Sequence, residues 1–445
     1  MVGWLAAATI AGTVTTALVI VLPERRFDPD ASTMPAITAA SDAEPAALPA
    51  PTLSLRWQVV VDGSAWGVDP PVVDATHAAV TAGSALIGVS LTDGVRAWRR
   101  EATDALPGTI AVGDDVVGID ADAVARIDLA NGEAAWMTKA RGIDLRWSAA
   151  RTADAILIPM SDDRIAAFGC EDGLLLWRSP VIGSDPTTPW PIGAGGDVAV
   201  SDWNRSLCRL DAQGRMVWRR DLAGVGVRAA VADETLFVLA DAGLIALDAA
   251  TGDQRWTAAM PESASWPVGS DAWPVPATVE DATDDKQGFS MPGSLQSSTA
   301  DGHDQFGIML DRLDDSPHAG PVVVGDVVVI GNRRGLIGFD RTTGALRWRT
   351  RLTTFGHRTY TVDALGRLWA GGDEGELLAL DPRDGRELLR LDLDDWVGDA
   401  APRCTRSLGG ASWQTIGCVS APAFTVNGVL VTTSSGTLVL LAEVL

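Results

Sequence analysis

Lysine is almost missing from this chain of 445 residues: Lys139 and Lys286 are the whole complement, and with arginine the 35 cations face 58 carboxylates, for a formal charge of −23. A chain of that sign repels phosphate backbones and anionic headgroups, so nucleic acid is excluded as a partner. Histidine and cysteine number four each. His77, His303, His318 and His357 are scattered and no two cysteines have the usual zinc spacing, so no metal site is expected. The acidic stretches Asp281 to Asp285 and Asp301 to Asp304 lack the spaced ligands and closing glutamate of a calcium loop. Glycine-rich pieces such as Gly372-Asp373-Glu374-Gly375 read as turns, since no helix follows to cradle a phosphate. No nucleophile stands out with a base beside it, so the chain is expected to bind rather than catalyse, without a cofactor.

One long uncharged run is present. Val2 to Leu22 spans 21 residues, enough at ~1.5 Å per residue to cross a hydrocarbon core of ~30 Å. We read 2–22 as a single transmembrane helix. A secretory signal peptide is the other reading, but a cationic leader is missing and Pro23-Glu24-Arg25-Arg26 stands where a small-residue cleavage site belongs. The arginines after the span favour a cytoplasmic domain. Long domains translocate largely regardless of charge, however, and the linker and cysteines suit an extracytoplasmic side of the cell membrane. Residues 23–52, rich in Ala, Pro and Asp, read as an extended tether.

The rest is organised by one recurring phrase: an aliphatic residue, Asp, a short turn with Gly, and Trp four residues later. It appears in full in Ala246 to Trp256 (ALDAATGDQRW) and Gly338 to Trp348 (GFDRTTGALRW). Variants close on Trp98, Trp136, Trp177 and Trp218, and the copy Ala379 to Leu389 (ALDPRDGRELL) has Leu in place of Trp. From Trp57 onward the spacings are 41, 38, 41, 41, 38, 92 and 41 residues, the last to Leu389. A period near 40 is that of one four-stranded propeller blade. The Gly takes a positive φ, the Asp bonds turn amides, and the Trp wedges between blades. Trp57, Trp98, Trp136, Trp177, Trp218, Trp256 and Trp348 are therefore read as structural.

Leu53 to Trp57 looks like an orphan last strand, and 421–445 supplies strands without a closing Trp. Pairing the two completes one blade from both termini and removes exposed sheet edges. The expected fold is all-β: an eight-bladed propeller of four-stranded antiparallel blades over 53–445, preceded by the transmembrane helix. Insertions are expected at about 257–316 and 390–420; the first, rich in Pro, Ser, Asp and Thr, is preferred to a hidden ninth blade.

Gly371-Gly372-Asp373-Glu374-Gly375-Glu376-Leu377-Leu378-Ala379-Leu380-Asp381 resembles the PQQ-like (quinoprotein-type) repeat, and the likeness runs from about Leu53 to Leu445. Recurring Gly-His and Trp-Asp pairs of WD repeats are not seen. The chain is thus similar to the propellers of the outer-membrane barrel-assembly lipoprotein and of some bacterial receptor kinases. That resemblance implies a scaffold or ligand-sensing module; the enzymatic alternative it implies is a quinone-dependent oxidoreductase holding quinone and calcium in the channel. The vicinal cysteines typical of those enzymes are missing.

Cys404 and Cys418 lie 14 apart in the second insert, a spacing that suits a disulfide, and Cys170 and Cys208 fall in neighbouring blades. Four cysteines permit three pairings, and four unrelated thiols are the alternative. Trp66, Trp147, Trp190, Trp266, Trp273, Trp396 and Trp413 lie in the connections from one blade's outer strand to the next blade's inner strand. These connections emerge on one face, so the indoles and both inserts are expected to share it. There they form an aromatic surface for a protein, peptide or glycan, or cap the core at each strand entry.

Overall fold

The computed structural model describes residues 47–443 except 62–69, 83–84, 102–108, 145–148, 184–188, 194, 203–205, 223–225, 241–242, 261–316, 333–334, 352–359, 372–374, 394–403, 409–410, 416–419, 421 and 434–435. The expected span 2–22, the linker up to 46 and nearly all of the larger insert lie outside the described residues. No helix among the described residues is long and apolar enough to cross a membrane.

Eight four-stranded antiparallel sheets follow one another. Blade 1 is β2 (Val72–Val73), β3 (His77–Ala82), β4 (Ala85–Ser90) and β5 (Arg96–Glu101). Blade 2 is β6 (Thr109–Val112), β7 (Asp115–Asp120), β8 (Ala123–Asp128) and β9 (Ala134–Lys139). Blade 3 is β10 (Ala150–Arg151), β11 (Ala155–Met160), β12 (Arg164–Gly169) and β13 (Leu175–Arg178). Blade 4 is β14 (Trp190–Ile192), β15 (Asp197–Ser201), β16 (Ser206–Leu210) and β17 (Met216–Asp221). Blade 5 is β18 (Gly226–Ala232), β19 (Thr235–Ala240), β20 (Gly243–Asp248) and β21 (Gln254–Ala258). Blade 6 is β22 (Pro317–Val324), β23 (Val327–Asn332), β24 (Gly335–Asp340) and β25 (Leu346–Arg351). Blade 7 is β26 (Tyr360–Val362), β27 (Leu368–Gly371), β28 (Glu376–Leu380) and β29 (Glu387–Asp392). A two-stranded hairpin, β30 (Cys404–Leu408) with β31 (Ala411–Thr415), stands in the connection to blade 8.

Blade 8 joins the two ends of the chain. Its first three strands are β32 (Ala423–Thr425), β33 (Gly428–Thr432) and β34 (Thr437–Glu443), and its outer strand is β1 (Leu53–Val60), which pairs antiparallel with β34 from Leu53↔Glu443 to Val60↔Thr437. The ring is an all-β, eight-bladed propeller.

The core consists of seams between blades. The described residues form eight buried clusters, and each draws its members from two consecutive blades, the last from blades 8 and 1. Middle strands consequently read as continuous apolar runs. In Ala155–Met160, Ile156, Ile158 and Met160 pack toward blade 2 while Ala155 and Leu157 pack toward blade 4, because successive side chains leave opposite faces of a strand and both faces are covered. Outer strands have water on one side and alternate instead, as in Arg96–Glu101.

Alternating strand direction sorts the loops. Turns from inner to second strand and from third to outer strand share one face. Turns from second to third strand, and the connections between blades, share the other.

Candidate binding face and the seams that hold it

The third-to-outer turn is where one blade grips the next. Gly94, Gly132, Gly173, Gly214, Gly252, Gly344 and Gly385 have φ between 67° and 74°. Each lies against the closing indole of the preceding blade: Trp57, Trp98, Trp136, Trp177, Trp218, Trp256 and Trp348 in turn. A Cβ on Gly344 would come within 2.6 Å of the Trp256 ring, so glycine is required for both backbone and space. Six of the indoles also donate Nε1–H to a carbonyl of that turn, as Trp98 does to Leu129 at 2.7 Å and Trp348 to Pro382 at 2.8 Å. Asp248 and Asp340 accept the amides of Ala250 and Thr251, and of Thr342 and Thr343, at 2.8–3.0 Å. In every blade the register slips by one residue immediately before the closing position, which places a β-bulge in each outer strand.

Among the described residues, an arginine of the third strand shares the indole's carbonyl in two seams. Arg126 pairs with Asp115 at 2.5 Å and donates to Cys170 O, the carbonyl that Trp136 also uses; Arg209 pairs with Asp197 and donates to Ala249 O, shared with Trp218. Both precede the turn Asp in the strings Arg-Ile-Asp and Arg-Leu-Asp, a signal present in the repeat that a search for Trp and Gly passes over.

The seam between blades 7 and 8 is built differently. Blade 8 has no third-to-outer turn, because its third strand is β34 and its outer strand is β1, so there is no glycine or turn carbonyl to receive an indole; position 389 is Leu. The bulk comes from Trp369 on β27, fully buried, 5.8 Å from Phe424 and bonded through Nε1 to Asp363 at 2.9 Å. Arg367, 3% exposed, bonds Asp363 and reaches Glu443 on β34 with both terminal nitrogens. Burial opposes the charge on Arg367, yet Glu443 and Asp363 together hold its pKa above the usual arginine value.

The inner strands leave a cavity of about 700 Å³ at the channel mouth. Its walls come from blades 1, 2, 6, 7 and 8, and it includes Pro70, Pro71, Ala149 and Pro422, which directly precede inner strands and so mark the face of the connections. No lining residue is charged; the side-chain oxygens are those of Thr109, Tyr360 and Thr361. Thr361 donates to Pro422 O at 2.9 Å. Tyr360 packs into the seam with blade 6, where its hydroxyl meets Gly331 and burial raises its pKa. The quinone of quinoprotein dehydrogenases is a polycarboxylate held with calcium, and calcium takes about six to eight oxygen ligands, carboxylates among them. The described lining offers neither carboxylate nor cation and does not fit that group. Among the described residues, no three His, Cys, Asp or Glu side chains come together as a metal-holding group.

Of the seven tryptophans expected on the connection face, Trp66, Trp147, Trp266, Trp273 and Trp396 lie outside the described residues. Trp413 is in the hairpin, opposite Arg406. Trp190, on β14, packs partly buried against the cluster of blades 4 and 5, which is the core-capping arrangement.

The suggested Cys170–Cys208 pairing is corrected: both are free buried thiols. Cys170 packs toward blade 2 and Cys208 toward blade 3, so the sheet of blade 3 stands between them. Burial raises both pKa values, that of Cys208 to about 12, which makes them unreactive. Cys404 lies on β30, and Cys418 is outside the described residues.

Comparison with known proteins agrees with this architecture. The serine/threonine-protein kinase AfsK of Streptomyces coelicolor is 28% identical over 213 residues, 45% of this chain and 25% of that protein, so the match spans about a quarter of this relative's length. The crystal structure of BamB from Moraxella catarrhalis superposes with a TM-score of 0.54 at 16% identity, covering 88% of this chain and 98% of that one. Quinohemoprotein alcohol dehydrogenase from Comamonas testosteroni gives 0.52 at 12% identity, covering 88% and 76%. At such identities the likeness is one of fold. A family model described as outer membrane protein assembly factor BamB matches residues 161–289 and 333–442, more than half of the sequence. With its glycine-and-indole seams repeated around an eight-bladed ring, the chain belongs to this family of PQQ-like repeat propellers.

Proposed function

We propose that this propeller is a non-catalytic scaffold that binds a protein partner through the face of its connections, displayed from the membrane on the extracytoplasmic side. One observation carries the reading: the connections from outer to inner strands leave one face of the closed ring, the β30–β31 hairpin stands in one of them, and residues 261–316, outside the described residues, likewise join an outer strand, β21, to an inner one, β22. Loops mounted on a stiff scaffold are the usual place for recognition. The match to a BamB family model and the fold likeness to BamB support it. The uncharged run Val2 to Leu22 and the tether after it supply the membrane attachment in this reading.

The test is a pull-down from native membranes with the full chain as bait, beside a variant carrying Trp266→Ala, Trp273→Ala, Trp396→Ala and Trp413→Ala. A partner retained by the parent and lost by the folded variant supports the reading. Identical or empty pull-downs oppose it. The quinone-dependent alternative rests on fold likeness to a quinohemoprotein dehydrogenase alone and is opposed by the uncharged lining; a calcium-dependent shift in quinone absorbance on titration would support it.

A further inference from the structure

We propose that the channel mouth is a binding site for a small, uncharged, largely hydrocarbon molecule. The site opens on the same face as the proposed partner surface but is lined by the inner strands, and its test and the pull-down fail independently.

A chain with 58 carboxylates and 35 cations has built a cavity of about 700 Å³ whose described lining contains none of them. That volume lies within the range of about 300–1,000 Å³ typical of small-molecule pockets. Val72, Ile110, Val322, Val362 and Phe424 present hydrocarbon from five different blades. Pro70, Pro71 and Pro422 have no N–H, so the backbone at the rim is poor in donors. Thr361 is bonded to Pro422, and the Tyr360 hydroxyl is turned away into the seam against Gly331, where it is buried without a hydrogen-bond partner among the described residues. A charged ligand entering here loses water and finds no counter-charge on the described walls, which is unfavourable. Ordered water needs two to four polar partners and finds few. An apolar molecule gains from leaving water and loses no hydrogen bond.

The experiment titrates the full chain with N-phenyl-1-naphthylamine, which is uncharged, and with 1-anilinonaphthalene-8-sulfonate, the same ring system carrying a sulfonate. Saturable binding of the uncharged probe near one per chain, at least tenfold tighter than the sulfonate, is expected. Val362→Asp, which puts a carboxylate in the wall, and Ala423→Phe, which fills space, are each expected to weaken it tenfold or more while the melting transition stays cooperative.

A photoreactive, uncharged naphthalene azide on the unsubstituted protein keeps the proposal testable should either variant misfold. Its adducts are expected in peptides holding residues 70–73, 109–111, 360–362 and 422–424. Absence of saturable binding, equal affinity for both probes, or labelling confined to the apolar N-terminal run overturns the proposal.

Discussion

Arg367 and Glu443 meet across the junction where the chain closes on itself: Nη1 and Nη2 of the guanidinium lie 2.9 and 3.1 Å from the two carboxylate oxygens. The pair fastens the last residue of β34 to the first turn of blade 7, beside the one third-to-outer corner that has no covalent turn. Two parallel bonds fix direction as well as distance, which a lysine cannot reproduce.

Arg367→Met is expected to destabilise the ring by about 3–5 kcal/mol, since it strands the buried Asp363 carboxylate and removes the partner of the partly exposed Glu443. Glu443→Gln, which keeps an acceptor at a partly exposed position, is expected to cost about 1 kcal/mol. Denaturant unfolding measures both, and amide exchange in Thr437–Glu443 is expected to quicken before exchange elsewhere. Equal midpoints for both variants and the parent contradict a closing role for this pair.

The indole seams predict an asymmetric exchange. Trp256→Leu removes a ring stacked on Gly344 and bonded to Arg341 O, and a loss of about 3 kcal/mol or more is expected. Leu389→Trp brings the odd blade into line with the repeat, yet is expected to cost about 1–3 kcal/mol by overpacking beside Trp369, because no turn glycine waits opposite. Stabilisation by Leu389→Trp in thermal unfolding refutes this account of the seam.

Gly344→Ala conflicts twice, with a φ of +73° and with the Trp256 ring, and a loss above about 1 kcal/mol is expected. Combined with Trp256→Ala the two losses are expected not to add, because the clash disappears with the ring. Strict additivity in a double-mutant cycle points to backbone strain alone.

Acid is expected to loosen the turns together. A guanidinium hydrogen bond from Arg255, with the Thr251 amide, holds Asp248 down to about 2. Arg347 with Thr343 depresses Asp340, and Arg383 depresses Asp381. These folded-state values lie below the ~3.9 of an unfolded aspartate, so the contribution is complete above about pH 4 and is lost as pH falls through the folded values, toward about 2 for Asp248. The melting temperature is expected to hold from about pH 7 to 5 and to drop between about 4 and 2, less steeply in Asp340→Asn. A flat profile across that window excludes the turn aspartates as its cause.

The ring was legible from sequence because its defining contact is periodic. An indole needs a glycine at a fixed place in the next blade, so both recur, and the count to eight with a blade shared by the termini can be read along one dimension. The seam between blades 7 and 8 was visible only as an exception: Leu389 could be seen, whereas its cause lies in the missing turn of the next blade, and its compensation by Trp369 lies on a different strand. The cysteines misled because sequence proximity of blades says nothing of which sheet face a side chain leaves. The cavity gave no signal, since inner strands such as Val72–Val73 and Ala150–Arg151 are two residues long and carry no shared phrase. Trp190 illustrates the same limit, for a large ring at a strand entry reads alike whether it meets a partner or the core.

The bulge ahead of each closing position has a consequence for assembly. An outer strand whose register is broken by an extra residue is kinked and overtwisted, and so is a poor template for a further strand laid against it. Leu174, Leu175 and Leu176 expose an apolar stretch on the rim of blade 3, and the slip there falls at its last residue, Leu176. The circumference of the propeller is thereby protected from sideways polymerisation into fibres at this apolar stretch, and the bulge that turns Trp177 inward toward blade 4 is the same one that spoils the edge.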